Sequence, residues 1–110
     1  MADAKPSKAG HSVNPADNVA AAVTLAAAGA GNFNVLSQVF YSYDAAPTAG
    51  TLTIADGAVT VFLIDITAAG PSQFTFNPPL EGSANTALVV TLAAAGAAVG
   101  GNVSVHAWTE

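Results

Sequence analysis

Apolar and polar residues alternate with a period of two along several short stretches, and turn-forming residues separate these stretches. Residues 51–66 read TLTIADGAVTVFLIDI, with Asp56-Gly57 in the middle. Alternation of this kind is typical of strands, and an Asp-Gly pair between two such stretches predicts a hairpin. Residues 59–66, the second half of this stretch, form an almost continuous apolar run, which favours a central strand covered on both sides. Its two predicted faces are Thr60, Phe62, Ile64 and Ile66, and Val59, Val61, Leu63 and Asp65.

The same alternation predicts strands on both sides of this hairpin. Residues 33–43 form a long candidate, with Phe33, Val35, Val39, Tyr41 and Tyr43 on one face and Asn34, Leu36, Gln38, Phe40 and Ser42 on the other. A short strand at QFTF is expected to end at Pro78-Pro79, because Pro cannot donate to a ladder. The last strand places Val103, Val105 and Ala107 on one face and His106 and Trp108 on the other.

Eight residues, VTLAAAGA, occur twice, at 23–30 and at 90–97. Ala is the best helix former, so the first copy is also compatible with a short helix. The second copy follows Ala-Leu-Val, and its β-branched residues favour a strand with Leu88, Val90 and Leu92 on one face. We therefore predict that both copies are strands, and that two similar strand–turn–strand units lie at the two ends of the chain.

About seven or eight short strands with frequent turns predict an all-β fold, a β-sandwich of Greek-key or jelly-roll type. Residues 1–17 mix Ala, Ser, Lys, Pro and Asn without periodicity, and they predict a flexible, extended N-terminal arm. Residues 18–110 then form the β-sandwich domain. The arm is interpreted either as a mobile end or as a strap that becomes ordered on a neighbouring subunit.

Charged residues make up only 8% of the chain, against roughly 25% in a typical soluble domain. The only basic side chains are Lys5 and Lys8, and the net charge is −5. Nucleic acid is excluded as a partner on this ground, because phosphate contacts need a basic patch. A surface so poor in charge is typically covered by another protein, which favours a homo-oligomer or a docked subunit over a free monomer.

The residue types that carry catalysis or metal binding are scarce. Cysteine is absent and only two histidines occur, so a zinc site would need acidic ligands. The nucleophile, zinc-protease and phosphate-loop motifs are also absent from the sequence. We expect no enzyme, no cofactor and no metal. The apolar residues 19–30 are too few to span a bilayer, so no membrane partner is expected either.

Aromatic side chains supply the candidate binding residues. Tyr41 and Tyr43 are two positions apart on one predicted strand, and Trp108 lies near the end of the chain. Tyr and Trp commonly pack in cores or anchor interfaces. A platform that stacks on sugars is the alternative. The predicted interface residues are Lys5, Lys8, Tyr41, Tyr43 and Trp108.

Three segments resemble short virion proteins of tailed bacteriophages. They are YSYDAAPTAGTLTI at 41–54, with one extra residue before Pro47, DITAAGP at 65–71, and NTALVVTLAAAG at 85–96. The matching features are the pattern Y-S-x-x-P-T-x-G-x-L-T-I, the turn D-I-T-x-A-G-P and the hairpin N-T-A-L-x-V-T-L-A-A-x-G. The segment that contains them covers about two thirds of the chain, and the motifs are structural turns.

This resemblance implies a non-enzymatic virion component. Capsid decoration (cement) proteins, which are often homotrimers on the capsid surface, fit the size best. The resemblance thus implies self-association and binding to the phage major capsid protein, which would stabilise the head by bridging its subunits. The alternatives are a tail or fibre module that binds host glycans and a tail or head-completion subunit.

Overall fold

The computed structural model describes residues 10–13 and 17–110, and in that part of the chain it contains eight strands and no helix. The strands are β1 (Gly10–Val13), β2 (Ala21–Leu25), β3 (Asn34–Tyr43), β4 (Gly50–Asp56), β5 (Val59–Ile66), β6 (Gly70–Glu81), β7 (Leu88–Leu92) and β8 (Gly101–Thr109).

The strands form two four-stranded antiparallel sheets. Sheet A has the order β1-β8-β3-β6, and sheet B has the order β2-β7-β4-β5. The first strand pairs with the eighth, the second with the seventh, the third with the sixth and the fourth with the fifth. Nested pairs that alternate between two sheets define a jelly roll. The predicted all-β sandwich is confirmed, and its topology is the jelly roll.

The core lies between the two sheets, and the period-two patterns identify most of it. Leu88, Val90 and Leu92 of β7 are completely buried, as are Leu52 and Ile54 of β4. From sheet A, the inward residues of β8 are Val103, Val105 and Ala107, whereas His106 is exposed. Removing such side chains from water supplies the main favourable free energy of folding.

The prediction that residues 59–66 form a central strand covered on both sides is wrong. β5 is the last strand of sheet B. Phe62, Ile64 and Ile66 face the core as predicted, but Val61 and Leu63 are 45% and 58% exposed. A continuous apolar run does not distinguish a doubly covered strand from an edge strand, because the pattern carries no information about the second layer.

The prediction that the strand at QFTF ends at Pro78-Pro79 is wrong, because β6 continues through both prolines to Glu81. β6 is one of the two edge strands of sheet A, where a missing N–H costs little. In the β3–β6 register, Leu36 is opposite Leu80 and Gln38 is opposite Thr75, so residues 76–79 bulge out beside a single β3 residue. The prolines lie in that bulge.

A second irregularity changes the faces of β3. The register shifts between Leu36 and Gln38 in both of its pairings, and against β8, where their partners Ala107 and His106 are adjacent, Ser37 is an extra residue. Leu36 and Val39 consequently both belong to the core, although simple alternation assigned them to opposite faces. Bulges of this kind reverse the alternation from that point onward.

The two copies of the repeat pair with each other. Val23 of β2 lies directly opposite Val90 of β7, and these are the first residues of the two octapeptides. The offset of 67 residues that relates the copies also carries β2 onto β7 and the start of β3 onto the start of β8. The prediction of two strands and two similar units is confirmed, and the units are related by an approximate twofold axis between them.

Most of the predicted arm lies outside the described residues, which exclude 1–9 and 14–16. Within the arm, Gly10–Val13 form β1 and pair with residues 103–106 of β8. The interface residues Lys5 and Lys8 lie outside the described part of the chain.

Candidate assembly surface

The exposed large hydrophobic side chains of the described residues lie at the two edges of sheet B. Val59, Val61 and Leu63 are on β5, with exposed fractions of 63%, 45% and 58%. Val19, 48% exposed, comes two residues before β2 at the opposite edge. Apolar groups concentrated at sheet edges mark a surface for contact with another protein chain.

One edge strand of sheet A, β6, is better blocked than the other sheet-A edge strand, β1, and than both edge strands of sheet B. On β6 of sheet A, Pro71, Pro78, Pro79 and Glu81 interrupt the edge. β2 has the sequence AAVTL, with neither a proline nor a charge, and β5 has only Asp65. Proteins usually protect edge strands with prolines and charges, and both edges of sheet B are nearly without them.

Aromatic side chains support β5 from the inside. The ring of Phe62 packs edge-to-face on Phe74 and Phe76 of β6, with centroids 5.5 and 5.4 Å apart. Tyr41 stacks on Phe74 at 6.0 Å. All four rings are half-buried and pack against the core. Because these rings connect β5 to the other sheet, the exposed edge is held in a fixed position.

The three predicted aromatic interface residues do not form one surface. Tyr43 is 2% exposed, and its hydroxyl donates to the carbonyl oxygen of Ala93 at 2.7 Å. Burial raises the pKa of this phenol. Tyr41 faces the inside of sheet A, whereas Trp108 is half-buried on its outside and donates to Glu110 Oε2 at 2.8 Å. A sugar platform made of all three side chains is therefore ruled out.

The outer face of sheet A carries a different aromatic pair. Phe40 and His106 pack edge-to-face at 5.3 Å, and His106 Nδ1 lies 3.1 Å from Gln38 Oε1. Beside Phe40 is a depression of about 170 Å³, which is also lined by Ser42 and Asn102. This volume is below the roughly 300–1,000 Å³ of ordinary ligand pockets.

Of two carboxylates in sheet B, Asp56 has a hydrogen-bond partner within the fold, whereas Asp65 has none among the described residues. Asp56 is the last residue of β4. Its carboxylate accepts hydrogen bonds from the hydroxyl of Ser83 at 2.6 Å and from the backbone N–H of Ser83 at 3.0 Å. The Ser83 hydroxyl, followed by its N–H, lowers the pKa of Asp56. Asp65 is exposed and accepts no hydrogen bond from the described residues.

Metal ligands are not clustered in residues 10–13 and 17–110, where no group of three His, Asp or Glu side chains comes together. The same ranges contain no helix that could cross a membrane.

Comparison with known proteins gives no match to a family model and no match to a curated protein. The resemblance to tailed-phage virion proteins thus has no support from these sequence comparisons and stays a prediction.

Solved structures do match. The crystal structure of PirA has a TM-score of 0.53 at 10% identity, with coverage of 88% of this chain and 92% of that chain. The capsid of Helicobacter pylori bacteriophage KHP30 has a TM-score of 0.46 at 11% identity, with coverage of 91% and 93%. A family 36 carbohydrate-binding module in complex with calcium and xylotriose has a TM-score of 0.40 at 17% identity, with coverage of 100% and 88%.

At these identities the similarity to PirA establishes a shared fold and no more. The strand order of the chain itself defines the all-β sandwich.

Proposed function

We propose that this chain is a non-enzymatic structural protein of a virus particle, a capsid decoration protein that stabilises the head by bridging major capsid subunits. The observation that carries the proposal is that, among the described residues, the exposed large hydrophobic side chains lie on or next to the two edge strands of sheet B. The rest of the chain is poor in charge, and from residue 9 onward its charged side chains are all acidic. Such a body is suited to burial of neutral surface against other subunits.

Two kinds of contact supply the binding free energy in this proposal. Apolar surface removed from water contributes about 25 cal/mol per Å². Strand edges add main-chain hydrogen bonds, each with a net contribution of about 0.5–1.5 kcal/mol. Residues 1–9, which include the basic side chains Lys5 and Lys8, lie along the shell in this proposal, and chain entropy lost on binding offsets part of the gain. The protein acts as a homotrimer on the capsid surface.

Purified heads of the encoding virus, prepared without this chain, test the proposal. Added recombinant protein is expected to bind to them in stoichiometric amounts and to raise the temperature at which they rupture. A truncation of residues 1–9 tests the arm without removing β1, and it is expected to bind more weakly while its circular dichroism spectrum remains that of a folded sandwich. Heads that neither bind the full chain nor gain thermal stability would contradict the decoration role.

Glycan binding by a tail or fibre module is the second candidate. The observation in its favour is the depression beside Phe40, where an aromatic ring lies next to hydroxyl and amide groups. A glycan array with the wild-type protein and Phe40→Ala tests this function. Selective binding that is lost in the variant would support the glycan role.

A tail or head-completion subunit is the remaining alternative. It differs from a decoration protein in its position on the particle, because it would form a ring at the portal or tail and not cover the shell. A cryo-electron microscopy map of the particle with this domain placed in it distinguishes the two.

A further inference from the structure

We infer that copies of this chain join side by side through sheet B, with β5 of one copy paired to β2 of the next. This inference rests on the self-association in the proposed function and identifies the surfaces that make the contact. The starting observation is that, within residues 10–13 and 17–110, no strand pairs with the outer side of β2 or of β5, and the exposed large hydrophobic residues lie on or next to these two strands.

Strand direction permits this pairing without turning either copy over. Every neighbouring pair in sheet B is antiparallel, and the sheet has four strands, so β2 and β5 run in opposite directions. A second copy in the same orientation therefore presents its β2 antiparallel to β5 of the first. The contact continues the ladder that already holds the sheet together.

The internal repeat points to the open side of β2 as a strand-accepting edge. β7 pairs with β2 on one side and with β4 on the other, where Val90 and Leu92 lie opposite Ile54 and Leu52. The equivalent residues of β2 are Val23 and Leu25. Among the described residues, no strand pairs with the far side of β2. A strand from a second copy would take the position that β4 has beside β7.

Side-chain alternation restricts the register of the contact to alignments of inward with inward residues. Val23 faces the core and must lie beside another inward residue, and Ile64 is the central inward residue of β5. This alignment places Thr24 opposite Leu63 and Ala22 opposite Asp65. Small exposed side chains then lie next to the large exposed leucine, and the inward residues of both strands form one continuous core.

Charge is compatible with this contact. β2 carries no charged side chain, so Asp65 meets Ala22 and no like charge. A symmetric pairing of β5 with itself would leave the edge of β2 and Val19 uncovered in both copies. The pairing of β5 with β2 of the next copy uses both edges of sheet B at once and places the exposed Leu63 within the paired strands.

A contact between two different surfaces generates a closed ring or an open filament. In the proposed homotrimer, three copies of the four-stranded sheet B would form a ring of twelve strands. No unblocked sheet-B edge would remain on such a ring.

Cysteine crosslinking tests the pairing, because the chain has no cysteine of its own. Thr24→Cys and Leu63→Cys are prepared singly and together, and each preparation is treated with an oxidant or a short bis-maleimide. The double variant is expected to give a ladder of covalent oligomers. Each single variant alone is expected to stay uncrosslinked, and a mixture of the two is expected to give covalent dimers only.

Each outcome decides the question. Crosslinking of Leu63→Cys with itself would show a symmetric β5–β5 contact and overturn the inference. An oligomer that the double variant cannot crosslink would overturn this interface and leave self-association standing, and a monomer would overturn both. Head binding is measured separately, so failure of the decoration role is distinguishable from failure of the pairing.

A charge substitution provides a second readout. Leu63→Asp is expected to convert the oligomer to monomers, because it removes the leucine that packs beside Thr24 of the next copy and adds a second negative charge on the face that already carries Asp65. The side chain is exposed in the monomer, so the variant should remain folded. The matched control is Gln73→Asp, an exposed position on the blocked edge strand β6, which should not change the mass. If both variants had the same oligomeric mass as the wild type, the result would contradict the inference.

Discussion

The side-chain oxygen of Asn85 accepts a hydrogen bond from the backbone N–H of Gly29 at 3.1 Å. Shifted by 67 residues, the same bond occurs with the partners exchanged, because Asn18 accepts from Gly96 at 3.2 Å. Both asparagines have positive φ, 49° and 59°, and so do both glycines. Each repeat unit thus closes the loop of the other, and the approximate twofold symmetry extends from the strands to individual hydrogen bonds.

Substitution of these two asparagines is expected to have closely similar effects. Asn85→Ala loses the hydrogen bond and replaces a residue that tolerates the left-handed conformation with one that tolerates it less well, which together should cost about 1–2 kcal/mol of unfolding free energy. Asn18→Ala should cost the same. Asn85→Gly keeps the backbone conformation and should lose less. Urea denaturation measures all three, and a large difference between Asn18→Ala and Asn85→Ala would argue against equivalent roles.

Tyr43 provides a test of the core at the end of the sandwich. Tyr43→Phe removes the hydroxyl that binds the Ala93 carbonyl and should cost about 1–2 kcal/mol of unfolding free energy. The pH dependence has a definite sign. Because burial raises the pKa of Tyr43 in the folded state, its contribution is complete below the ordinary tyrosine pKa of about 10 and is lost as the pH rises through the raised value.

Urea denaturation at pH 8 and at pH 11 measures this dependence. Stability should fall toward pH 11 more steeply in the wild type than in Tyr43→Phe. Equal pH dependence in the two proteins would show that Tyr43 is not protected from ionisation.

Gly101 leaves space for two core side chains. A β-carbon there would lie 2.8 Å from Leu92 Cδ2 and 3.3 Å from Tyr43 Cε1, and both side chains are buried. Gly101→Ala should therefore destabilise the fold by about 1–3 kcal/mol through overpacking. The control is Asn102→Ala, the next residue, which is exposed and should change stability by less than about 0.5 kcal/mol. Thermal denaturation compares them.

Asp56 and Ser83 connect the end of β4 to the loop after β6. Ser83→Ala removes the hydroxyl that contributes most to the lowered pKa of Asp56, so this pKa should rise toward its ordinary value. The stabilisation from the lowered pKa is present above the ordinary aspartate value and is lost as the pH falls through the lowered one. A side-chain NMR titration measures the shift, and an unchanged Asp56 pKa would contradict the assigned cause.

The alternation in the sequence predicts which strand residues face the core better than it predicts which residues lie on the surface. The inward residues of β7, β8 and β5 follow from alternation, because one face of each strand packs on the core. The pairing of Val23 with Val90 could not be predicted, since a repeat shows that two units are alike and not that they touch.

The exposed edge of β5 was missed for a similar reason. Its apolar residues satisfy the pattern of a buried strand, and only the sheet order shows that nothing in the described chain covers Leu63. Asp65 on the same face was the one signal against full burial. Tyr43 was mistaken for a surface candidate because its pattern is equally that of a core residue.

The central claim is that this jelly roll is built to be covered by copies of itself through the edges of sheet B. The most direct test is the solution mass of the full chain, measured by light scattering during size-exclusion chromatography. Self-assembly predicts a multiple of the 10.8 kDa chain, three for the proposed trimer, and a single chain mass for Leu63→Asp. A wild-type protein that stays at 10.8 kDa at all accessible concentrations would contradict it.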